Sequence, residues 1–191
     1  MKPLLRMIVA CAVLGGVPLL AMADEAGATP PGASSRGWSF GAGLGVVEYR
    51  EPELHSTEPD FIYLQAGWRF NRHFMIATRI GTDAPGSGDS LAFSPPLPVR
   101  IRQLYGLYAR GAVPVGSHCE LYGLAGYTGI HWESDVDIAA LHGPAGSLSY
   151  ATGFSWNASP RFSVDLELMP ELVSGAGWRS DALSIGIRWH Y

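Results

Sequence analysis

Lysine is almost missing from this 191-residue sequence, because Lys2 is the only one. Arginine supplies the other basic residues, and the 13 basic side chains are outnumbered by 17 acidic ones, for a formal charge of −4 at pH 7. Proteins that bind nucleic acid usually carry a basic patch and an excess of positive charge. The charge balance therefore argues against nucleic acid as a partner.

Cysteine is also scarce, since the sequence contains only Cys11 and Cys119. Cys11 falls in an N-terminal segment with the features of a cleaved signal peptide, so the mature chain would keep one thiol. A single thiol cannot form an intrachain disulfide. The stability of the folded chain must therefore come from another source.

Long hydrophobic runs are missing beyond residue 23, where no stretch approaches the length of about 18 apolar residues that a membrane-spanning helix needs. This excludes a helical membrane protein. Hydrophobic residues nevertheless make up 47% of the chain, which also contains 24 glycines and 14 prolines. Such a composition favours an all-β chain.

The first 23 residues are predicted to be a signal peptide. Lys2 and Arg6 give a positive start, residues 7–20 are mostly apolar, and Ala21-Met22-Ala23 places small residues where signal peptidase reads them. The apolar stretch, about 14 residues with glycine and proline inside it, is too short for a spanning helix. Cleavage before Asp24 leaves 11 arginines against 17 acidic residues, a formal charge of −6.

The mature chain is predicted to have two parts. Residues 24–37 contain too little apolar material to fold and are predicted to be a flexible leader. In residues 38–191, apolar side chains recur at every second position, as in strands. The predicted strands cover residues 38–49, 60–70, 74–81, 99–113, 119–130, 148–157, 161–169 and 182–191.

The connections between these strands alternate in length. Three are short and four are long: residues 71–73, 114–118 and 158–160 against residues 50–59, 82–98, 131–147 and 170–181. A bacterial membrane barrel has short turns at one rim, long loops at the other and an even number of strands. The pattern predicts an all-β fold, an eight-stranded antiparallel up-and-down transmembrane β-barrel.

Strand alternation alone does not say whether the apolar face points into a soluble core, as in a lipocalin, or outward into lipid. The opposite face favours lipid, because it holds glycines and a few charges instead of a surface of lysines and glutamates. Such residues suit a narrow lumen in which arginines and carboxylates pair across strands. The predicted lumen charge network consists of Arg69, Arg79, Arg110, Asp165, Glu167 and Arg188.

Aromatic residues gather near the predicted strand ends, where they would form girdles at the two membrane interfaces. They are Trp38, Phe40, Trp68, Phe70, Phe74, Trp156, Phe162, Trp189 and Tyr191. The register between residues 99 and 130 is less clear from the sequence. For the fourth strand we assign Tyr105, Leu107 and Ala109 outward, which would turn Arg102 and Arg110 into the lumen.

The chain ends in Ser-Ile-Gly-Ile-Arg-Trp-His-Tyr. This segment resembles the C-terminal β-signal of outer-membrane proteins, with Ser184, Gly186, Trp189 and Tyr191 on the four pattern positions. The resemblance implies recognition by the barrel assembly machinery, with periplasmic chaperones as further partners during biogenesis. It also implies that this last strand closes the barrel against the first.

A second resemblance lies in the middle of the chain. Residues 104–110, Leu-Tyr-Gly-Leu-Tyr-Ala-Arg, and residues 121–127, Leu-Tyr-Gly-Leu-Ala-Gly-Tyr, look like the central hairpin of the small outer-membrane β-barrel family related to the OmpA transmembrane domain and OmpX. The resemblance covers Trp38 to Tyr191. It implies a bacterial outer-membrane location, with outer-membrane lipids and lipopolysaccharide around the protein.

Some eight-stranded barrels act on lipid A, and the lipid A deacylases carry a His-x-Ser pair near the C-terminus. This sequence contains no His-x-Ser. His190 has Ser163, Ser184 and Glu167 as candidate neighbours, but a polar residue at the rim is the simpler interpretation. The six histidines are scattered without the spacing of metal ligands. The sequence therefore predicts no catalytic residue, no metal site and no cofactor.

These features favour a non-catalytic outer-membrane protein with a structural or surface-interaction role. A narrow porin-like channel, a lipid A-modifying enzyme and a soluble periplasmic barrel stay open as alternatives. An eight-stranded barrel is just wide enough for its own side chains, which argues against a general pore. The sequence does not identify a surface partner.

Deletion of Tyr191, or the substitution Trp189→Asp, is expected to lower the amount of folded protein in the outer membrane. Both changes remove an aromatic residue from the predicted assembly signal. The folded fraction is measured by heat-modifiable migration of the fractionated outer membrane. Normal folded levels would contradict the assigned role of this segment.

Overall fold

The computed structural model describes residues 36–51, 54–57, 59–85, 99–134, 143–175 and 178–191. Its strands are β1 (Gly37–Glu51), β2 (Leu54–Thr57), β3 (Asp60–Arg69), β4 (Phe74–Asp83), β5 (Val99–Val115), β6 (Cys119–Ser134), β7 (Gly143–Ser159), β8 (Phe162–Gly175) and β9 (Trp178–His190). The described residues contain no helix that is long and apolar enough to cross a membrane. The predicted signal peptide, residues 1–23, and most of the predicted leader, residues 24–37, lie outside the described residues.

The strands form one closed antiparallel barrel. Neighbours follow chain order from β3 to β9, and β1 pairs with both β3 and β9. β2 is a short addition that pairs only with the far end of β1. Eight strands therefore close the barrel, and the predicted fold class is confirmed.

The seam between β1 and β9 runs from the pair Ser39↔His190 to the pair Arg50↔Arg179. Glycines on the inner face of β1 make room for aromatic residues of β3. A Cβ atom at Gly43 would overlap the Tyr63 ring, and one at Gly45 would overlap the Phe61 ring. Small residues at the seam thus let the barrel close around large inward side chains.

Buried and exposed side chains alternate along the strands, and, as in a membrane protein, many of the exposed ones are apolar and many of the buried ones are polar. Leu64 and Leu107 point outward and are each 60% exposed, whereas Arg79 and Arg110 point inward and are 6% and 4% exposed. A soluble barrel would bury the leucines and expose the arginines. The outward face is an apolar belt suited to hydrocarbon.

Several strands are longer than predicted at the end opposite the tight turns, which lie at residues 70–73, 116–118 and 160–161. This long-loop end includes parts of the predicted loops 50–59, 131–147 and 170–181. An apolar cluster inside the barrel stabilises continued strand pairing there. We call it the apolar plug: Val47, Phe61, Ile101, Leu104, Ile130, Trp132, Met169, Leu172 and Ala182.

The prediction that Arg102 faces the lumen is wrong. The register between β5 and β6 shifts between Ile101 and Gln103, so that Ile101 is buried and Arg102 is exposed. A β-bulge adds one residue to a strand and thereby reverses the facing of the residues beyond it. Tyr105 and Leu107 do point outward, and Ala109 is exposed, as predicted.

The nine aromatic residues assigned to two girdles lie at one end of the barrel, near the tight turns. Rings there contact one another, as in the edge-on pair Trp38 and Trp68, whose centroids are 5.1 Å apart. Among the residues whose exposure the structure describes, the exposed aromatic ones nearer the long-loop end are Tyr105, Tyr127 and Tyr150. The prediction that these nine residues divide between two girdles is therefore wrong, because spacing along the sequence did not reveal which rim each strand end joins.

An arginine placed in the middle of the outward apolar face is expected to destabilise the barrel more than one placed at its rim. Leu64→Arg puts a charge near the centre of the hydrocarbon and should cost about 2–4 kcal/mol of unfolding free energy. Val115→Arg, beside a tight turn, should cost about 0–1 kcal/mol. Urea titrations in phospholipid vesicles compare the two variants, and equal costs would contradict the outward facing of Leu64.

Candidate functional site

The lumen holds the densest group of charged side chains in the described part of the chain. Four arginines and three carboxylates are buried there: Arg69, Arg79, Arg110, Arg188, Glu120, Asp165 and Glu167. All six residues of the predicted lumen charge network are among them. The side chains come from six strands that the closed sheet brings around one axis.

Five of these charges form a chain of alternating sign. Glu120 lies between Arg69, at 3.4 Å from its Nη1, and Arg110, at 3.6 Å from its Nη2. Asp165 lies between Arg110, at 3.6 Å from its Nη1, and Arg188, at 2.9 Å from its Nη2. Each carboxylate thus pairs with two arginines. This row of five charges crosses the lumen near the tight-turn end.

The remaining two charges form a two-pronged pair. Arg79 donates from Nη1 to Glu167 Oε1 at 2.8 Å and from Nη2 to Glu167 Oε2 at 3.2 Å. Gln65 Oε1 accepts a further bond from Arg79 at 3.4 Å, and the Tyr122 hydroxyl donates to Glu167 at 3.3 Å. This geometry matches the fork of a guanidinium and is the strongest kind of ion pair in a dry interior.

Tyrosine rings cover the faces of two guanidinium groups. The Arg79 carbon Cζ lies 4.3 Å from the centroid of Tyr63 and 5.4 Å from that of Tyr108. The Arg110 carbon Cζ lies 3.6 Å from the centroid of Tyr122. Cation–π contact of this kind is stronger where water is excluded. The lumen has one more arginine than carboxylates, and the tyrosine rings supply further favourable contacts for these cations.

Sequence reasoning missed Glu120 and the three tyrosines. Glu120, Tyr122 and Leu124 are buried at every second position of β6. Continuing this alternation back from Tyr122 would have placed Glu120 in the lumen. Glycines at 123, 126 and 129 interrupt that pattern in the sequence. One of them, Gly126, packs so closely on the β5 backbone at Leu107 that a Cβ would overlap it.

A small cavity lies among the charges of the lumen. A cavity of about 10 Å³ is bordered by Arg79, Arg110, Asp165 and Glu167, with Tyr63 and Tyr108 beside them. That volume is near the minimum that holds one water molecule. Toward the long-loop end the apolar plug fills the interior.

Three residues of the predicted assembly signal lie in β9, where two face inward and one faces outward, and Tyr191 directly follows the strand. Ser184 is buried and Gly186 lies in the lumen against the Tyr63 hydroxyl. Trp189 and Tyr191 are exposed on the outside, and Tyr191 packs edge-on against Phe40 of β1 at 6.2 Å between centroids. The pattern thus combines small inward residues with outward rings at the tight-turn rim.

His190 meets one of its predicted neighbours. Its Nε2 atom lies 3.1 Å from the Ser163 hydroxyl, which Arg188 Nε also approaches at 3.4 Å. Ser163 is fully buried and His190 is 7% exposed, whereas a nucleophile must reach its substrate. Glu167 is bound to Arg79 instead of His190. Among the described residues, no group of three or more histidine, cysteine or acidic side chains is arranged to hold a metal ion.

Removing one partner of the two-pronged pair is expected to destabilise the barrel more than removing both. Glu167→Leu leaves the buried Arg79 cation unpaired and should cost about 3–5 kcal/mol of unfolding free energy. The double variant Arg79→Met with Glu167→Leu removes that cation and should recover most of the loss. Urea titration in vesicles gives both values. A double variant as unstable as Glu167→Leu would contradict the pairing.

The barrel is similar to known outer-membrane proteins. Residues 9–189 match the family model "Outer membrane protein beta-barrel domain". Among curated protein sequences none matches the chain. The fold resembles Neisserial surface protein A, with a TM-score of 0.60 and 19% identity over 84% of this chain and 99% of that one.

Two further solved barrels have the same fold. Ail of Yersinia pestis, solved with the heparin analogue sucrose octasulfate, gives a TM-score of 0.55 and 15% identity over 82% of this chain and 99% of that one. The N-terminal β-barrel domain of OprF from Pseudomonas aeruginosa gives 0.51 and 12% over 79% and 97%. Taken with the closed barrel and its outward apolar face, the family match shows that this chain belongs to the outer membrane protein beta-barrel domain family and lies in the bacterial outer membrane.

Proposed function

We propose that this protein is a closed outer-membrane barrel whose long-loop end forms a rigid extracellular platform for surface interactions, without transport or catalysis. The observation that carries the proposal is the filling of the lumen along its length, by paired charges toward the tight turns and by the apolar plug toward the long loops. A barrel of this kind holds its strand ends firmly and offers no continuous wet path.

Strand length supports the platform. A transmembrane strand needs about 9–11 residues, whereas β5, β6 and β7 have 17, 16 and 17. About six residues of each strand therefore extend past the hydrocarbon. Because the tight turns belong at the periplasmic rim, the extension lies outside the cell, where Arg100 and Glu133 are exposed on the paired strands β5 and β6.

The apolar plug gives this extension a core of its own. Ile101, Leu104 and Ile130 are at most 1% exposed, and each such residue contributes about 1.5–3 kcal/mol on burial. Paired strands with a buried core resist fraying at their ends. The extracellular loops would accordingly be presented from a stable base, which suits recognition of a surface partner.

The arrangement of Ser163 and His190 supports a structural role over lipid A chemistry. Both lie inside the barrel near the periplasmic rim, while a lipid substrate would approach from outside. Their hydrogen bond links β8 to β9 beside the closing seam. A role in holding the rim accounts for these contacts without an enzymatic reaction.

For biogenesis, the proposal includes export through the predicted signal peptide, residues 1–23, followed by delivery through periplasmic chaperones to the barrel assembly machinery. The pattern Ser184, Gly186, Trp189 and Tyr191 would be the segment recognised. In the mature protein the predicted leader, residues 24–37, precedes the barrel domain, residues 38–191, at the periplasmic rim.

The platform is tested with single cysteines in a Cys119→Ser background. Arg100→Cys should react with a membrane-impermeant maleimide on intact cells, because this position lies on the extension beyond the hydrocarbon. Arg161→Cys, in a tight turn at the other rim, is the matched control and should react only after the outer membrane is permeabilised. Labelling is measured by the mass shift of the purified protein.

Protection of Arg100→Cys on intact cells, or reaction of Arg161→Cys there, would overturn the proposed orientation and platform. The closed lumen is checked separately with the unmodified protein in planar bilayers. We expect no conductance above the background. Reproducible single-channel steps would favour the narrow-channel alternative instead.

A further inference from the structure

The outer surface of the barrel has an apolar groove of about 970 Å³ that the proposed function does not use. It crosses the outward faces of β8, β9, β1, β3 and β4, and reaches β5 at its long-loop end. Its walls include Leu44, Leu64, Ile80 and Ile187, with the smaller Ala42 between them.

Arg102 is the one charged side chain among the described residues that line the groove. The bulge between Ile101 and Gln103 turns it outward, and the Thr82 hydroxyl stabilises the bulge by donating to the Arg102 carbonyl oxygen at 3.2 Å. In the described part of the chain the Arg102 guanidinium has no ion pair, in contrast to the buried arginines of the lumen. Its five donors are therefore available to a ligand.

The position of Arg102 along β5 fixes its level in the membrane. The tight turn after Val115 marks the periplasmic rim. Arg102 lies 13 residues before Val115 on the same strand, β5 (Val99–Val115). Since about 9–11 residues cross the hydrocarbon, Arg102 lies just above it, beyond the outward Tyr105. The cation is thus at the level of the outer-leaflet headgroups, and the apolar groove extends below it.

We propose that this groove binds a phosphate-bearing, multiply acylated lipid of the outer leaflet, the lipid A part of lipopolysaccharide. The acyl chains would lie along Leu44, Leu64 and Ile187, and a headgroup phosphate would accept hydrogen bonds from Arg102. Charge complementarity supports this occupant, because arginine forms two-pronged bonds with phosphate. A second copy of the chain would bury an unpaired cation, which is costly.

The proposal rests on the proposed orientation, which puts Arg102 in the outer leaflet, but not on the surface platform, since it concerns the lipid-facing side of the barrel and leaves the lumen and loops unchanged. It is tested with the full mature chain, purified in detergent micelles, by native mass spectrometry. The probes are lipid A with both phosphates, lipid A from which the phosphates have been removed, and phosphatidylethanolamine. Apparent affinities are taken from the bound fraction against lipid concentration.

The unmodified protein is expected to prefer phosphorylated lipid A over both other probes. Arg102→Gln should weaken that binding about fivefold, the contribution of one arginine near an anionic membrane surface, and leave binding of dephosphorylated lipid A unchanged. Arg161→Gln is the charge-matched control, because this exposed arginine lies in a periplasmic turn, and it should have no effect.

A second variant tests the apolar part of the site without changing a charge. Ala42→Trp would fill the groove and should weaken binding of both forms of lipid A. Ala109→Trp, also exposed on the outer surface but not among the residues lining the groove, is its control and should leave binding unchanged. Heat-modifiable migration establishes that each variant is folded, and the Ala42 pair decides the test if Arg102→Gln does not fold.

Three results would overturn the proposal. One is equal binding of phosphatidylethanolamine and phosphorylated lipid A by the unmodified protein. Another is undiminished binding by folded Arg102→Gln, or by folded Ala42→Trp. The third is efficient disulfide-linked dimerisation of Ala42→Cys in a Cys119→Ser background, which would show that a second copy of the chain occupies the groove.

Discussion

Closure of the sheet between β1 and β9 is the constraint on which the rest of the structure depends. Hydrocarbon offers no hydrogen-bond partners, so an unpaired strand edge would leave backbone groups unsatisfied at several kcal/mol each. The pairing from Ser39↔His190 to Arg50↔Arg179 removes that edge. Closure at eight strands also makes the lumen so narrow that side chains must fill it, which explains why glycines of β1 face the rings of Phe61 and Tyr63.

Lipid outside and a lumen of paired charges inside give each strand two incompatible faces. A slip of one residue in register would place Arg79 or Arg110 in hydrocarbon and Leu107 among buried charges. The network of four arginines and three carboxylates therefore helps to fix register, apart from any net contribution to stability, which for buried ion pairs is often small. Tyrosine rings against the guanidinium groups complete an interior that is polar and filled.

The apolar plug lies inside the barrel toward the long-loop end. In the proposed orientation, the strands there stand in water beyond the outer hydrocarbon boundary, and the plug packs between their inner faces. The bulge at Arg102 turns Ile101 into the plug and Arg102 to the outer surface. One local irregularity thus contributes to both the plug and the outer groove, because an added residue exchanges the two faces of a strand.

The sequence by itself determined the number of strands, their facing over most of the membrane and six of the seven buried charges, because period-two alternation and loop lengths are local properties of a chain. It did not reveal Glu120, whose strand is interrupted by glycines, or the facing of Arg102. Only the tertiary structure decided which charges pair, since the partners Arg79 and Glu167 are 88 residues apart. It also decided how far the strands extend, because their length depends on an apolar plug assembled from side chains of several strands around one axis.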